Sequence, residues 1–256
     1  MTGVDEAKLD RIVGAVLGSA AGDALGAGYE FTNPAPDRKI AMVGGGGFDW
    51  APGEWTDDTQ MALGILDVIA TGSSDLDAVA SNFLAWYAAG PADVGNQTRS
   101  VLGSAVIPED LAVVAVAFMD ANPEAAGNGA LMRTAPVALA ALDDRTEIAR
   151  LAGSIASLTH AHSDSVAAFV LWSLAIQQAI TTVEPDRVFD WETAVRNGLE
   201  HVAEDRRQRW DEIITEAVAG PRRVQPQWLG GHRIPGRPFS DHQHAGIRGT
   251  AIRSSP

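Results

Sequence analysis

Apolar residues recur three and four positions apart through nearly every long segment between residues 7 and 219, and nowhere do they alternate with sustained period two. That periodicity restricts the chain to an all-α architecture, because a strand exposes alternate residues on opposite faces and needs a period of two. The pattern predicts helices over Ala7–Leu25, Asp57–Ile69, Asp75–Ala88, Asp110–Asp120, Ala130–Leu142, Thr146–Leu158, Ser165–Ile180 and Trp191–Ala219. Alanine fills many of the remaining inward positions, so the expected fold is an Ala-rich multi-helix bundle of closely packed helices. Within the first helix Gly14, Gly18, Gly22 and Gly26 form a stripe of one glycine every four residues. Each interior glycine costs a helix about 1 kcal/mol relative to alanine. The stripe therefore points to a flat face approached by another backbone or by a ligand.

Composition narrows the function classes. The chain has 33 acids against 19 Lys and Arg and a formal net charge of −14, which argues against general nucleic-acid or anionic-membrane binding. No cysteine is present, so thiolate catalysis, disulfides and Cys-ligated metal sites are excluded. The N-terminus has no signal-peptide pattern, and the apolar run Ile12–Gly22 is cut by Asp23 and too short to span a bilayer. A cytoplasmic protein with no membrane partner is expected. The charge is unevenly spread, at −19 over residues 1–220 and +5 over residues 221–256, where six arginines face the single acid Asp241.

Five segments carry polar residues in patterns that suggest chemistry. Thr56-Asp57-Asp58 opens a helical pattern, so one carboxylate can serve as a cap. Two adjacent carboxylates repel each other unless a cation sits between them, and hard oxygens in this density suit Mg²⁺ or Mn²⁺. Capping and metal binding both remain open from the residues alone. Glu30 follows Gly22-Asp23-Ala24-Leu25-Gly26 and stands between the aromatics Tyr29 and Phe31, as a helix-end acid or a site residue. Asp93-Val94-Gly95-Asn96-Gln97-Thr98-Arg99 reads as a polar loop. Gly127-Asn128-Gly129 precedes a helical pattern, where positive φ angles and free amides would form an anion cradle or a ligand-free turn. Thr159-His160-Ala161-His162 lacks the spacing of a zinc site and fits ligand contact or capping better. No Gly-Lys-Ser/Thr follows the glycines, no dinucleotide fingerprint is present, and no Gly-x-Ser-x-Gly elbow supports a Ser-His-Asp triad.

Taken in order, these segments, joined by the glycine-rich loop before Trp55 and by Met132-Arg133, resemble the ADP-ribosylglycohydrolase family over residues 12–220. Leu131 departs from the small residues usual at its place. The resemblance implies an all-helical fold around a cleft with two Mg²⁺ or Mn²⁺ ions, and hydrolysis of the bond between ADP-ribose and a protein side chain or small acceptor. It implies Thr56, Asp57 and Asp58 as metal ligands, Asp93 as general base, and Glu30 beside the ribose. Gly95, Asn96, Gly127, Asn128 and Gly129 would bind substrate, with His160 at the rim.

Members of the family end on a helical half with a Gly-Asp-x-Asp-Thr segment that completes the metal site, and nothing here matches it. The expectation is an incomplete helical domain at 1–220, short of its C-terminal helices, and a basic, disordered tail at 221–256. A shifted reading frame accounts for the tail: second-base reading of plausible codons for Gln227–Ile234 can give Asn-Gly-Trp-Val-Val-Thr-Ala-Phe, the start of an amphipathic helix. A basic extension that binds an acidic partner is the other reading. Two functional expectations follow, a metal-dependent hydrolase and a catalytically dead remnant that binds ADP-ribose or metal weakly.

Overall fold

The computed structural model describes residues 5–35, 37–182 and 188–219. Among these residues there are nine α-helices: α1 (Glu6–Gly26), α2 (Asp57–Ile69), α3 (Leu76–Ala88), α4 (Asn96–Ser104), α5 (Leu111–Ala121), α6 (Arg145–Ser157), α7 (Ser163–Thr181), α8 (Trp191–Arg196) and α9 (Glu204–Val218). No strand occurs among them, so the all-α expectation holds. The tail at 221–256, with its frame-shift reading, lies outside the described residues.

Aspartates start most of these helices. Asp5, Asp75, Asp144 and Asp190 each accept a backbone N–H from the first turn that follows, satisfying amides that have no partner inside a helix. The main core forms where α2, α3, α6 and α7 meet, around Met61, Ile65, Phe83, Leu111, Ile148, Leu151, Ile155, Phe169 and Leu174. A second cluster joins α7 to α8 and α9 through Leu171, Ala194, Val195, Val202 and Ile214. The helix α1 lies against α7 and α2, and the Arg11 Nε–H donates to the Ile180 carbonyl at 2.7 Å.

Three expectations along the chain, two helices and a loop, are corrected. The segment Ala130–Leu142 forms only two 3₁₀ turns, Leu131–Arg133 and Val137–Leu139, because Pro136 stands between them and cannot donate to a continuous α-helix. The run Trp191–Ala219 breaks into α8, a 3₁₀ turn at Leu199–His201 and α9, with Val202 extended before Ala203 opens the last helix. The polar loop after Asp93 is short, since Gly95 is the N-cap of α4 and Asn96 its first residue.

The glycine stripe is a fourth correction. A Cβ added at Gly14, Gly18, Gly22 or Gly26 would meet nothing within 4 Å, so among the described residues no backbone approaches that face. Leu9, Val13 and Leu17 on the same helix are exposed. The helix and its following turn, Glu6–Tyr29, are also long and apolar enough to cross a membrane by length and composition, a reading that the shorter run Ile12–Gly22 did not reach.

Between α1 and α2 the expected long loop folds back on the end of α1. Gly45 and Trp50 exchange two backbone hydrogen bonds, at 2.7 and 3.0 Å. Gly44 adopts φ +64°, and a Cβ there would lie 2.3 Å from the Trp50 carbonyl oxygen, a contact only glycine permits. Two substitutions test this contrast. Gly44→Ala is expected to lower stability by about 1–3 kcal/mol through strain and overlap. Gly18→Ala is expected to raise it by up to about 1 kcal/mol, as helix propensity improves with no clash. Urea unfolding midpoints measure both.

Candidate active site

The site is built from the end of α1, the start of α2, the turn into α4 and the segments 127–133 and 159–160. Asp23, in the last turns of α1, turns its carboxylate onto the N-terminus of α2. It accepts the Thr56 N–H at 3.0 Å, the Thr56 hydroxyl at 2.8 Å, the Thr59 N–H at 3.0 Å and the Thr59 hydroxyl at 2.6 Å. Thr56 is the N-cap residue by position yet makes no side-chain cap of its own, so an acid from another helix does that work. Thr56 and Asp57 are buried, and the first turn of α2 points Asp57 and Asp58 at the neighbouring acids.

Glu30 follows the 3₁₀ turn Ala27–Tyr29 at the end of α1, and Phe31 turns the chain away at φ +59°, an uncommon conformation for an aromatic residue. One Glu30 oxygen, Oε2, is buried without a hydrogen-bond partner. Burial, followed by the negative charges of Asp93, Asp57 and Asp23, pushes the Glu30 carboxyl up to about 7. Asp58 is likewise raised to about 7, by burial and then by Asp57, Asp23, Glu30 and Asp93. Asp57 is raised to about 6 by burial first and then by Asp93, against the pull of the Gly95 N–H. Burial raises Asp93, while the Val94 N–H and the Arg99 cation oppose the shift. The expected residues Glu30, Thr56, Asp57, Asp58, Asp93 and Gly95 therefore do come together, and Asn96 stands exposed beside them at the start of α4.

The second half of the expected site is arranged differently. His160 is buried, not at a rim, and lies beneath the Gly127–Gly129 loop. A Cβ at Gly129 would stand 2.9 Å from His160 Cε1 and 3.1 Å from Thr98 Oγ1, and one at Gly127 would stand 3.3 Å from His160 Nε2. These glycines do not have positive φ, so they serve close approach to His160 and not a left-handed turn. Asn128 is exposed on the outer side of the loop. His162 caps α7, its Nδ1 accepting the Asp164 N–H at 3.1 Å.

Sequence reading quoted Asp23 and Arg133 without giving either a role. The signal was present in both: Asp23 is the acid that interrupts the apolar run of α1, and Arg133 is the one basic residue within 130–142. A polar residue isolated in an apolar stretch needs a tertiary partner once buried.

The donor set suits a hard divalent cation. It is all oxygen, it is buried and crowded so that three carboxyl groups are raised to about 6 or 7, and it includes the orphaned Glu30 Oε2. Among the described residues, however, no three His, Asp or Glu side chains converge as a metal-holding group.

Comparisons with known proteins converge on one family. A family model described as ADP-ribosylglycohydrolase matches residues 5–249, running past the boundary at 220 expected from the sequence. The ADP-ribosylarginine hydrolase Tri1 of Pseudomonas putida is 38% identical over 143 residues, which is 52% of this chain and 37% of that protein. The ADP-ribosyl-[dinitrogen reductase] glycohydrolase of Rhodospirillum rubrum is 36% identical over 167 residues, 62% of this chain and 54% of that protein. The matched part thus spans about half or less of these relatives' own length. A solved structure described as an ADP-ribosylglycohydrolase-related protein complex superposes with a TM-score of 0.56 at 26% identity, covering 76% of this chain and 62% of that one.

The raised carboxyl groups set a pH dependence. Glu30, Asp57 and Asp58 hold their protons more tightly folded than unfolded, so the folded state binds more protons between about pH 4 and pH 7 and stability falls as pH rises through that window. The melting temperature of metal-free protein is expected to drop from pH 5 to pH 7.5, and Asp58→Asn is expected to flatten the drop. A slope of the opposite sign would show that the acids are not crowded. Separately, Asp23→Ala is expected to lower stability by about 1–3 kcal/mol in urea, through loss of the cap on α2.

Proposed function

The chain belongs to the ADP-ribosylglycohydrolase family, and from that membership we propose that it hydrolyses the glycosidic bond between ADP-ribose and a protein side chain or small acceptor, with Mg²⁺ or Mn²⁺. The observation that carries the reading is the single cluster of Asp23, Glu30, Asp57, Asp58 and Asp93, where burial first and mutual repulsion second raise carboxyl groups into the range where proton transfer at neutral pH is efficient. The relatives named for arginine-linked and dinitrogenase-reductase-linked ADP-ribose make a protein side chain the first acceptor to test.

Each residue has a chemical task in this proposal. Asp93 accepts a proton from the attacking water as the water oxygen bonds to the anomeric carbon and the bond to the acceptor breaks. Val94 N–H and Arg99 stabilise its charged form, so it is the member of the cluster best kept as a base. Glu30, poised near neutrality with Oε2 unpartnered, holds a ribose hydroxyl or supplies the proton that the departing acceptor atom needs. Thr56, Asp57 and Asp58 would hold the cation, with Asp23 fixing their orientation through Thr56 and Thr59. A divalent ion there supplies charge compensation for the acids and for the ligand's hydroxyl and phosphate oxygens. The Gly127–Gly129 loop, with Asn128 exposed, offers a surface without side-chain bulk to the pyrophosphate.

A second reading has its own observation. Because the described residues bring no three ligands into one metal-holding group, the chain could be a remnant that binds ADP-ribose or metal weakly and turns nothing over. Calorimetric titration with Mn²⁺ and a turnover assay on ADP-ribosylated protein separate the two. The enzyme is expected to bind close to two ions and release ADP-ribose, with release falling at least about a hundredfold in Asp57→Ala. No Mn²⁺ binding and no release would support the remnant.

A further inference from the structure

Arg133 is the largest fully buried side chain, and among the described residues no carboxylate stands within ion-pair distance of it. Its guanidinium lies over the Phe83 ring, 4.4 Å from the centroid, and Nη1 approaches Met61 Sδ at 3.4 Å. Nη2 donates to Thr159 Oγ1 at 2.6 Å, and Nε has no partner. Burying a charge without an adjacent counter-ion is costly, so the contacts that Arg133 does make there call for a purpose.

The purpose can be read from proton counting. Arginine can only donate, so Thr159 Oγ1 must accept from Arg133. The same oxygen lies 2.8 Å from His160 Nδ1. Thr159 has one hydroxyl proton, and among the described residues its oxygen has no other hydrogen-bond partner to receive it. Sending the Thr159 O–H to Nδ1 gives this fully buried hydroxyl an acceptor for its one proton, which makes Nδ1 an acceptor and leaves the ring hydrogen on Nε2. That Nε2 edge faces the Gly127–Gly129 loop.

We propose that Arg133 and Thr159 are positioning residues that lock His160 in its Nε2–H tautomer beneath the Gly127–Gly129 loop, so that the loop rests on a hydrogen-bond donor edge and favours an anionic ligand group. The ligand in this statement rests on the ADP-ribose reading; the tautomer lock does not. Burial and the nearby Arg133 cation also hold the His160 ring neutral, with its pKa lowered to about 3. A neutral imidazole has two tautomers, and the Arg133–Thr159 relay selects between them.

The test uses the full chain labelled with ¹⁵N-histidine. Long-range ¹H–¹⁵N correlation is expected to show His160 with an unprotonated Nδ1 and a protonated Nε2, unchanged from about pH 8 to about pH 5, with the signal assigned by its loss in His160→Gln. Thr159→Val is expected to shift the ring toward mixed tautomers, and Thr159→Ser to restore the wild-type signature. In calorimetry, Thr159→Val is expected to weaken ADP-ribose binding about tenfold, with Thr159→Ser near wild type. A protonated Nδ1 in the wild-type chain would overturn the lock without any variant having to fold, and so would an unaltered tautomer in Thr159→Val. A chain that shows the expected tautomer but binds no ADP-ribose would retain the lock and refute the ligand reading.

Discussion

The carboxylate of Asp23 decides where the acidic cluster stands. Backbone amides at the start of a buried helix need acceptors, and Thr56 supplies none from its own side chain, so the acid of α1 becomes the cap of α2. Four donors on one carboxylate fix the rotation of α2 about its axis relative to α1. That rotation places Asp57 and Asp58 toward Glu30 and Asp93 while Met61, Ile65 and Val68 enter the core. One helix thus carries repulsion at its first turn and cohesion along the rest. The acids can crowd because the apolar face behind them is anchored by α3 and by the turns Leu131–Arg133 and Val137–Leu139.

The interior beneath this acidic pole has the opposite sign. Arg133 touches no acid, yet its field reaches Asp57 and acts on His160, which it helps to keep neutral. An acidic wall and a floor held by a buried cation lie within one site.

Much of this was legible in the residues, for physical reasons that differ by element. Helix α2 was readable to its ends because a cap-rich start and an unbroken apolar period coincide at Asp57–Ile69. The acids were readable because adjacent carboxylates without bases demand an explanation. Segment 130–142 misled because apolar spacing outvoted Pro136, whose missing amide breaks the helix whatever its neighbours prefer. His160 misled for another reason: its place at the rim was implied by the resemblance, and only the three-dimensional stacking of Gly127 and Gly129 on its ring reveals burial. Glycine period four in α1 suggested close packing, but periodicity names a face without naming its neighbour.

The bond from Arg11 to the Ile180 carbonyl spans 169 positions, and it is a hydrogen bond fastening α1 to α7. On a ribosome the residues of α1 and α2 emerge early, and the Asp23 contacts between them are separated by only 33 and 36 positions. They can form before the rest exists. The support of α1 is α7, which is translated more than a hundred residues after it, so the nascent chain carries this corner with α1 unsupported for much of that interval. The order of the elements along the chain therefore makes the completion of α7 the moment at which this corner becomes part of a folded protein.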